Sequence, residues 1–479
     1  MMNRQTSLVA VLLLASAGCS RAPADDPRMP AEWMHILYGA VRAERLSPPV
    51  ASRIFAYAGT ALYAGMAAAD PKLPPIAGRL NGLESLPPAD GSRRYDRTLT
   101  AVAAERVVLD SLFREGLPTT RASLSRVADS LVRARVDAGV PKDVAANSSA
   151  LGVKTGLALV AWAHGDGFDS TRGRTYVPPV GPGLWVNDTP DNTLTPQNIS
   201  AASQLIVPAN PANAMKAGAA SDRGLILDRQ KRGVKTLPAV NMAGITEPYW
   251  GYNRPFALKG WNECPAPLPP KYDTKAGTPL YDEAKIVYDI HAALTPEQQK
   301  IALYWADNGG ETGTPAGHWL AIAGQMVSER HLHADEAAWM MAATGVSLAD
   351  AFIAAWGYKF KLNLIRPRTF IRQTIDSNWE PFIPTPPFPE YLSGHSTLSA
   401  AAAGTLTGIL GPVPFEDSTI VSLGHGVRKF ASFEAAAEEA GMSRIYGGIH
   451  YPSANVEGRK LGACVAGKVL ARFNGGRMR

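Results

Sequence analysis

Ser393, Gly394 and His395 stand where a proline-rich run, Pro384 to Pro389, gives way to the alanine-rich stretch that ends at Gly404. Proline disfavours helix before Ser393, and alanine and leucine carry a helix after it, so the triplet marks a helix N-terminus. Unpaired backbone N–H groups and the positive end of the helix dipole make such a terminus an anion site. Glycine there lets backbone approach a ligand closely. A serine at a helix start is by itself only a cap, so the chemistry depends on whether the chain supplies cations nearby.

It supplies three. Lys359 and Arg366 are seven residues apart, two helical turns, and can point from one face toward one place before Pro367 ends the helix. Arg444 and His450 flank the glycine-rich segment Ile445 to Ile449, read here as an extended turn that brings both side chains to one locus. Together these offer one point charge, two planar guanidinium forks, a serine hydroxyl and bare amides. Buried cations without partners are costly, so that density fits a compact tetrahedral oxyanion carrying several negative charges.

The order K-x6-RP (Lys359 to Pro367), SGH (Ser393 to His395) and R-x5-H (Arg444 to His450) resembles the signature shared by vanadium-dependent haloperoxidases and the phosphatidic acid phosphatase type 2 superfamily. The resemblance implies vanadate as cofactor, its oxygens held by Lys359, Arg366, Ser393, Gly394 and Arg444, with His450 as the vanadium ligand and His395 as the acid–base. Hydrogen peroxide, halide and a small organic acceptor would be the partners, with Lys359 polarising the peroxide for halide attack. The alternative reading is an exported acid phosphatase that uses His450 as its nucleophile, because phosphate and vanadate share shape and charge. Trp356 and Phe388 resemble the aromatic pair lining the halide site of chloroperoxidase-type members, and Phe388 tilts the expectation toward chloride. Asp307 resembles the aspartate that partners the acid–base histidine. Some members carry an aspartate four residues after the ligand histidine; here that position is Ala454, so Asn455 or Glu457 is expected to orient His450. His318 reads first as a capping or core histidine, with contact to the same pocket as the alternative, and His331, His333 and His425 show no metal-ligand spacing.

The elements that must position these residues are mainly α. Helical periodicity marks 33–46, 52–68, 95–113, 120–138 and 145–165, then 282–294, a helix opening at Thr295, and 317–327, 335–344 and 348–364. Beyond Ser393 it marks a helix through Leu410 and further ones over 432–440 and 455–473, with no strand set able to make a large sheet. The expected architecture is two helical bundles, 31–169 and 279–479, the second carrying the oxyanion site. Between them runs an irregular, Pro/Gly-rich wrap, 170–278, pinned by Trp185, Trp250 and Trp261.

The chain has 479 residues, 46% hydrophobic, with 48 basic and 42 acidic side chains and a net charge of +6. The basic residues are dispersed, which argues against a nucleic-acid partner. Residues 1–18 read as a signal peptide, with the apolar run Leu8 to Ala17 ahead of Cys19; the pattern resembles a bacterial lipoprotein signal, with Cys19 lipidated and 19–30 a tether. Export to the periplasm or outer membrane follows as an expectation, with membrane contact only through that lipid. No membrane-spanning helix is expected after Cys19, and oligomeric state stays open, a homodimer included. Cys264 and Cys464 are read as isolated small hydrophobes, given their separation in sequence.

Overall fold

The protein is described from a computed structural model, over residues 23–172, 174–187 and 245–476. Cys19, the signal segment and the middle of the wrap lie outside the described residues. Helices α1 (Met29–Ala43), α2 (Pro48–Ala69), α3 (Arg97–Leu112), α4 (Pro118–Asp137), α5 (Lys142–His164) and the short α6 (Phe168–Thr171) form the first half. The second half holds α7 (Pro279–Ala292), α8 (Pro296–Tyr304), α9 (Thr314–Glu329), α10 (Ala334–Leu362), α11 (Pro367–Thr374), α12 (Gly394–Leu410), α13 (Phe433–Tyr446) and α14 (Pro452–Arg472). One antiparallel hairpin, β1 (Phe415–Asp417) with β2 (Arg428–Phe430), is the sheet present among the described residues.

One hydrophobic core spans both halves, because α2 packs along α10. Small residues make that contact close: a Cβ on Gly59 would meet the Met341 carbonyl oxygen at 2.8 Å, and one on Gly345 would meet the Phe55 carbonyl at 3.0 Å. The sequence suggested a break between 344 and 348, where Thr, Gly, Val and Ser weaken helix propensity. Instead α10 runs 29 residues unbroken. Burial against α2 and α12 overrides propensity there, with Ser347 Oγ donating to the Ala401 carbonyl at 3.1 Å.

Two segments, Lys142–Thr171 and Ala334–Leu362, are long and apolar enough to cross a membrane by length and composition, contrary to the expectation of none. The second is enclosed by protein throughout its apolar window, as befits a core helix. The N-terminal segment expected as a tether is bonded where it is described: Asp25 ion-pairs with Arg97 at 2.6 Å.

The described parts of the wrap are pinned to the C-terminal half of α10. The Asp350 carboxylate accepts from the amides of Phe256, Ala257 and Leu258 at 2.7 to 2.9 Å, Trp261 covers Gly357, and Trp185 N–H donates to the Asn363 carbonyl at 2.7 Å. The reading of Cys264 and Cys464 as isolated is overturned. They form a disulfide that joins the wrap to α14 across 200 residues of sequence, because the fold brings their Cα atoms to 5.9 Å. The wrap thereby braces the end of α10 that bears Trp356 and Lys359; Tyr358, between them, donates its hydroxyl to the Cys264 carbonyl at 3.0 Å.

Candidate active site

The cations sit where three chain segments meet. Lys359 lies in the last turn of α10, and Asn363 then ends the helix in a left-handed cap (φ 49°), turning the chain so that Arg366 precedes α11 in extended conformation. Arg444 lies in the last turn of α13. That corrects the expected extended turn: helix continues through Tyr446, and His450 follows two glycines later, just before α14. All four side chains are almost fully buried.

Backbone carbonyls hold the cations. Lys359 Nζ donates to the carbonyls of Pro389 and Glu390 at 3.0 and 2.8 Å. Arg366 donates to those of Phe388 and Ile449, both at 2.8 Å, and Arg444 to that of Trp305 at 2.6 Å. Burial, reinforced by the Arg366 charge, pushes the Lys359 ammonium well below the ordinary lysine range. Burial also lowers Arg444 to about 10. The carboxylate buried among these cations is Glu390.

Glu390 does what Asn455 or Glu457 was expected to do. Its Oε1 lies 2.8 Å from His450 Nδ1 and accepts from the Tyr451 amide at 2.9 Å. Asn455 instead bonds Ser396 Oγ, and Glu457 pairs with Lys460. On the other side of the ring an Arg366 N–H faces His450 Nε2 at 3.4 Å. Burial, then the neighbouring cations, hold His450 well below the usual histidine range, so its ring is neutral. An N–H donor facing Nε2 places the proton on Nδ1 and the lone pair on Nε2, the form that ligates a metal. Burial also raises Glu390 to about 7, against the pull of Lys359 and Arg366.

Ser393 caps α12, its hydroxyl accepting from the Ser396 amide and hydroxyl at 3.3 and 2.7 Å. The amides of Gly394 and His395, in the first turn, have no acceptor within the helix. A Cβ on Gly394 would meet only Trp356, at 3.5 Å, an ordinary contact. Packing therefore does not require glycine, whereas close approach of a ligand would. His395 is half-buried, and its Nε2 is shielded from solvent without a hydrogen-bond partner. The Trp305 backbone bonds its ring, and burial together with Arg444 lowers its basicity.

Trp356 and Phe388 meet at 4.9 Å between ring centroids, with Lys359 Nζ 5.1 Å from the Phe388 centroid. Asp307 is not on His395. It pairs with His318 Nδ1 at 3.0 Å, while Asp417 of β1 takes His318 Nε2 at 2.9 Å. The turn at Asp307 (φ 47°) aims its carboxylate toward α9 and away from α12. His318 is thus neither cap nor bland core. Glu390 could have been suspected from sequence as an acid inside an apolar, proline-rich run; Asp417 carried no such signal.

A family model described as the VCPO second helical-bundle domain matches residues 339–475. A crystal structure described as the first bacterial vanadium-dependent iodoperoxidase is similar with TM-score 0.75 and 31% identity, over 94% of this chain and 98% of that one. Apo and holo bacterial vanadium-dependent chloroperoxidase structures share the fold, with TM-scores of 0.60 and 0.57, at 15% identity over 90% of this chain. They cover 94% and 93% of their own chains. A search of curated proteins finds no match.

Two substitutions probe the cradle by calorimetric titration with orthovanadate. Glu390→Gln should weaken binding by about 10- to 100-fold, the range for removing the partner of a metal-ligating histidine. Gly394→Ala should leave Tm unchanged yet cost about 2 kcal/mol of binding by displacing a charge-assisted amide contact. Wild-type affinity in both variants would mean the oxyanion binds elsewhere.

Proposed function

The chain belongs to the vanadium-dependent haloperoxidase family, and we infer that with vanadate bound it oxidises halide with hydrogen peroxide to a hypohalous acid equivalent. The single observation that carries this reading is the 31% identity to an iodoperoxidase over 98% of that protein's length. The residues present fit the cofactor. Three buried basic side chains sit with the Glu390 carboxylate among them and Asp307 acting on Arg444, a neutral histidine offers its Nε2 lone pair, and the unpartnered Nε2 of His395 and Nε of Arg444 are shielded from solvent.

In this reading His450 Nε2 would ligate vanadium, and Lys359, Arg366, Arg444, Ser393 and the Gly394 amide would hold the vanadate oxygens. Bound vanadate supplies Lewis acidity toward hydrogen peroxide without a change of oxidation state. His395, whose ring burial keeps neutral, would take the proton that hydrogen peroxide releases. Lys359 Nζ lies 5.8 and 5.1 Å from the Trp356 and Phe388 ring centroids, and with an oxyanion beside it to favour the ammonium form it would draw halide to the aromatic wall. Glu390 would keep His450 in the ligating tautomer. Ring packing at Phe388 does not separate one halide from another, and the iodoperoxidase relative leads us to put iodide first.

We also propose export, with Cys19 as the lipid attachment point. The Cys264–Cys464 disulfide supports an oxidising compartment. Fractionation of expressing cells should find the protein with membranes and the Cys19→Ala variant in the soluble fraction; a wild type that stays soluble inside the cell would contradict export.

With orthovanadate and peroxide, iodide oxidation should exceed bromide and chloride oxidation, and His450→Ala should abolish it. Robust p-nitrophenyl phosphate turnover with no halogenation at any vanadate concentration would favour the phosphatase instead.

A further inference from the structure

Beside the oxyanion cradle lies a second charged cluster, close enough that Asp307 favours the Arg444 charge and His318 lowers the basicity of His395. His318, on α9, is completely enclosed and held at both ring nitrogens, by Asp307 at 3.0 and 3.2 Å and by Asp417 at 2.9 Å. The carboxylates come from distant places, one from the turn after α8 and one from β1. Asp417 is fixed in turn by the Thr419 amide and hydroxyl at 3.0 and 2.7 Å. Burial alone would discharge His318, but Asp307 and Asp417 outweigh it and raise the imidazolium to about 10, so the ring is charged throughout the neutral range.

A buried ion triad is poor evidence for stability, since apolar replacements of similar volume are often neutral or better. What such a triad does well is hold a neighbour in one geometry, and here the neighbour is Trp305. Its indole stacks on His318 with centroids 4.7 Å apart and planes 25° apart, and lies in a second stack with Trp319 at 6.1 Å. Its Nε1 donates to Glu439 at 3.0 Å. A cation against an indole face adds an electrostatic component to the stack. The ring is therefore held on its face and at its edge. The carbonyl of the same residue accepts from Arg444 at 2.6 Å, and the Trp305 backbone bonds the His395 ring. Arg444 thus takes its orientation from the Trp305 carbonyl, two residues before Asp307, and the same backbone lies beside the His395 ring.

We propose that His318 is a positioning residue: clamped between Asp307 and Asp417, it fixes Trp305 so that the Trp305 backbone sets Arg444 and His395 for oxyanion binding and proton transfer. The role assigned to Asp307 changes accordingly. It acts on His395 through His318 and Trp305, not by direct contact. This deepens the haloperoxidase reading and rests on it.

The test compares the full-length wild type, His318→Gln and Gly152→Ala. Gly152→Ala serves as a stability control in the first half of the chain, where its Cβ would meet the Thr100 carbonyl oxygen at 2.4 Å. Tm, the Kd for orthovanadate by calorimetry, and kcat and KM for peroxide at saturating vanadate are measured for each. For His318→Gln, Kd should rise and kcat fall by about 10- to 100-fold each, as expected when reacting groups are displaced by about an ångström. Gly152→Ala should lose Tm while keeping both values. A His318→Gln protein with wild-type Kd and kcat, whatever its Tm, overturns the proposal. Should it fail to fold, Trp305→Phe keeps the carbonyl but loses the Glu439 bond and part of the stack. Raised Kd with lowered kcat then supports the proposal, and unchanged values overturn it. A wild type that neither binds vanadate nor halogenates would instead contradict the haloperoxidase reading itself.

Discussion

Three cations taken out of water within one cluster are the constraint on which the rest of the structure depends. Each carries an effective desolvation cost of several kcal/mol in a protein interior, and like charges at close range add to it. Glu390 answers part of that charge, Asp307 acts on Arg444, and backbone carbonyls of Pro389, Glu390, Phe388, Ile449 and Trp305 answer more. Carbonyl dipoles stabilise a cation without neutralising it. The cluster therefore remains positive and electrostatically favours a compact, multiply charged anion.

Holding that arrangement requires rigid supports that arrive from different parts of the chain. Close packing of α2 on α10, through Gly59 and Gly345, fixes the helix that bears Lys359. The wrap and its disulfide brace the C-terminal end of the same helix. The peptide segment before α12 lends carbonyls to two cations and a carboxylate to His450. Its proline-rich, extended form suits that use, because a helix would consume the carbonyls in its own ladder. The Trp305 turn supplies the remaining wall and is held by the His318 ion triad. Precision in the cradle is thus inherited from supports that are themselves locked.

Much of this was legible in sequence. Lys359, Arg366, Ser393, Gly394, His395, Arg444 and His450 announce themselves by type and spacing, because an oxyanion cradle needs cations and a helix N-terminus in combination. Most helix positions followed from periodicity within a few residues, but α11 was not anticipated and α13 runs six residues past its expected end. What could not be read were contacts between residues remote in sequence: Glu390 on His450, Asp417 on His318, and Cys264 with Cys464. Each is fixed by tertiary packing and leaves no local period. Asp307 was found by its motif yet assigned to the wrong histidine, since a motif records a neighbourhood and not which of two imidazoles a left-handed turn will face. The apparent break in α10 misled for a related reason: burial against α2 outweighs weak local propensity.

The most direct measurement is a crystal structure of the full-length protein soaked in orthovanadate, with anomalous data collected across the vanadium edge. The account predicts one anomalous peak within coordinate-bond distance of His450 Nε2, with oxygens on Lys359, Arg366, Arg444 and the Gly394 amide, and with Glu390 still bonded to His450 Nδ1. A vanadium peak elsewhere, or none at saturating vanadate with the cradle intact, would contradict it.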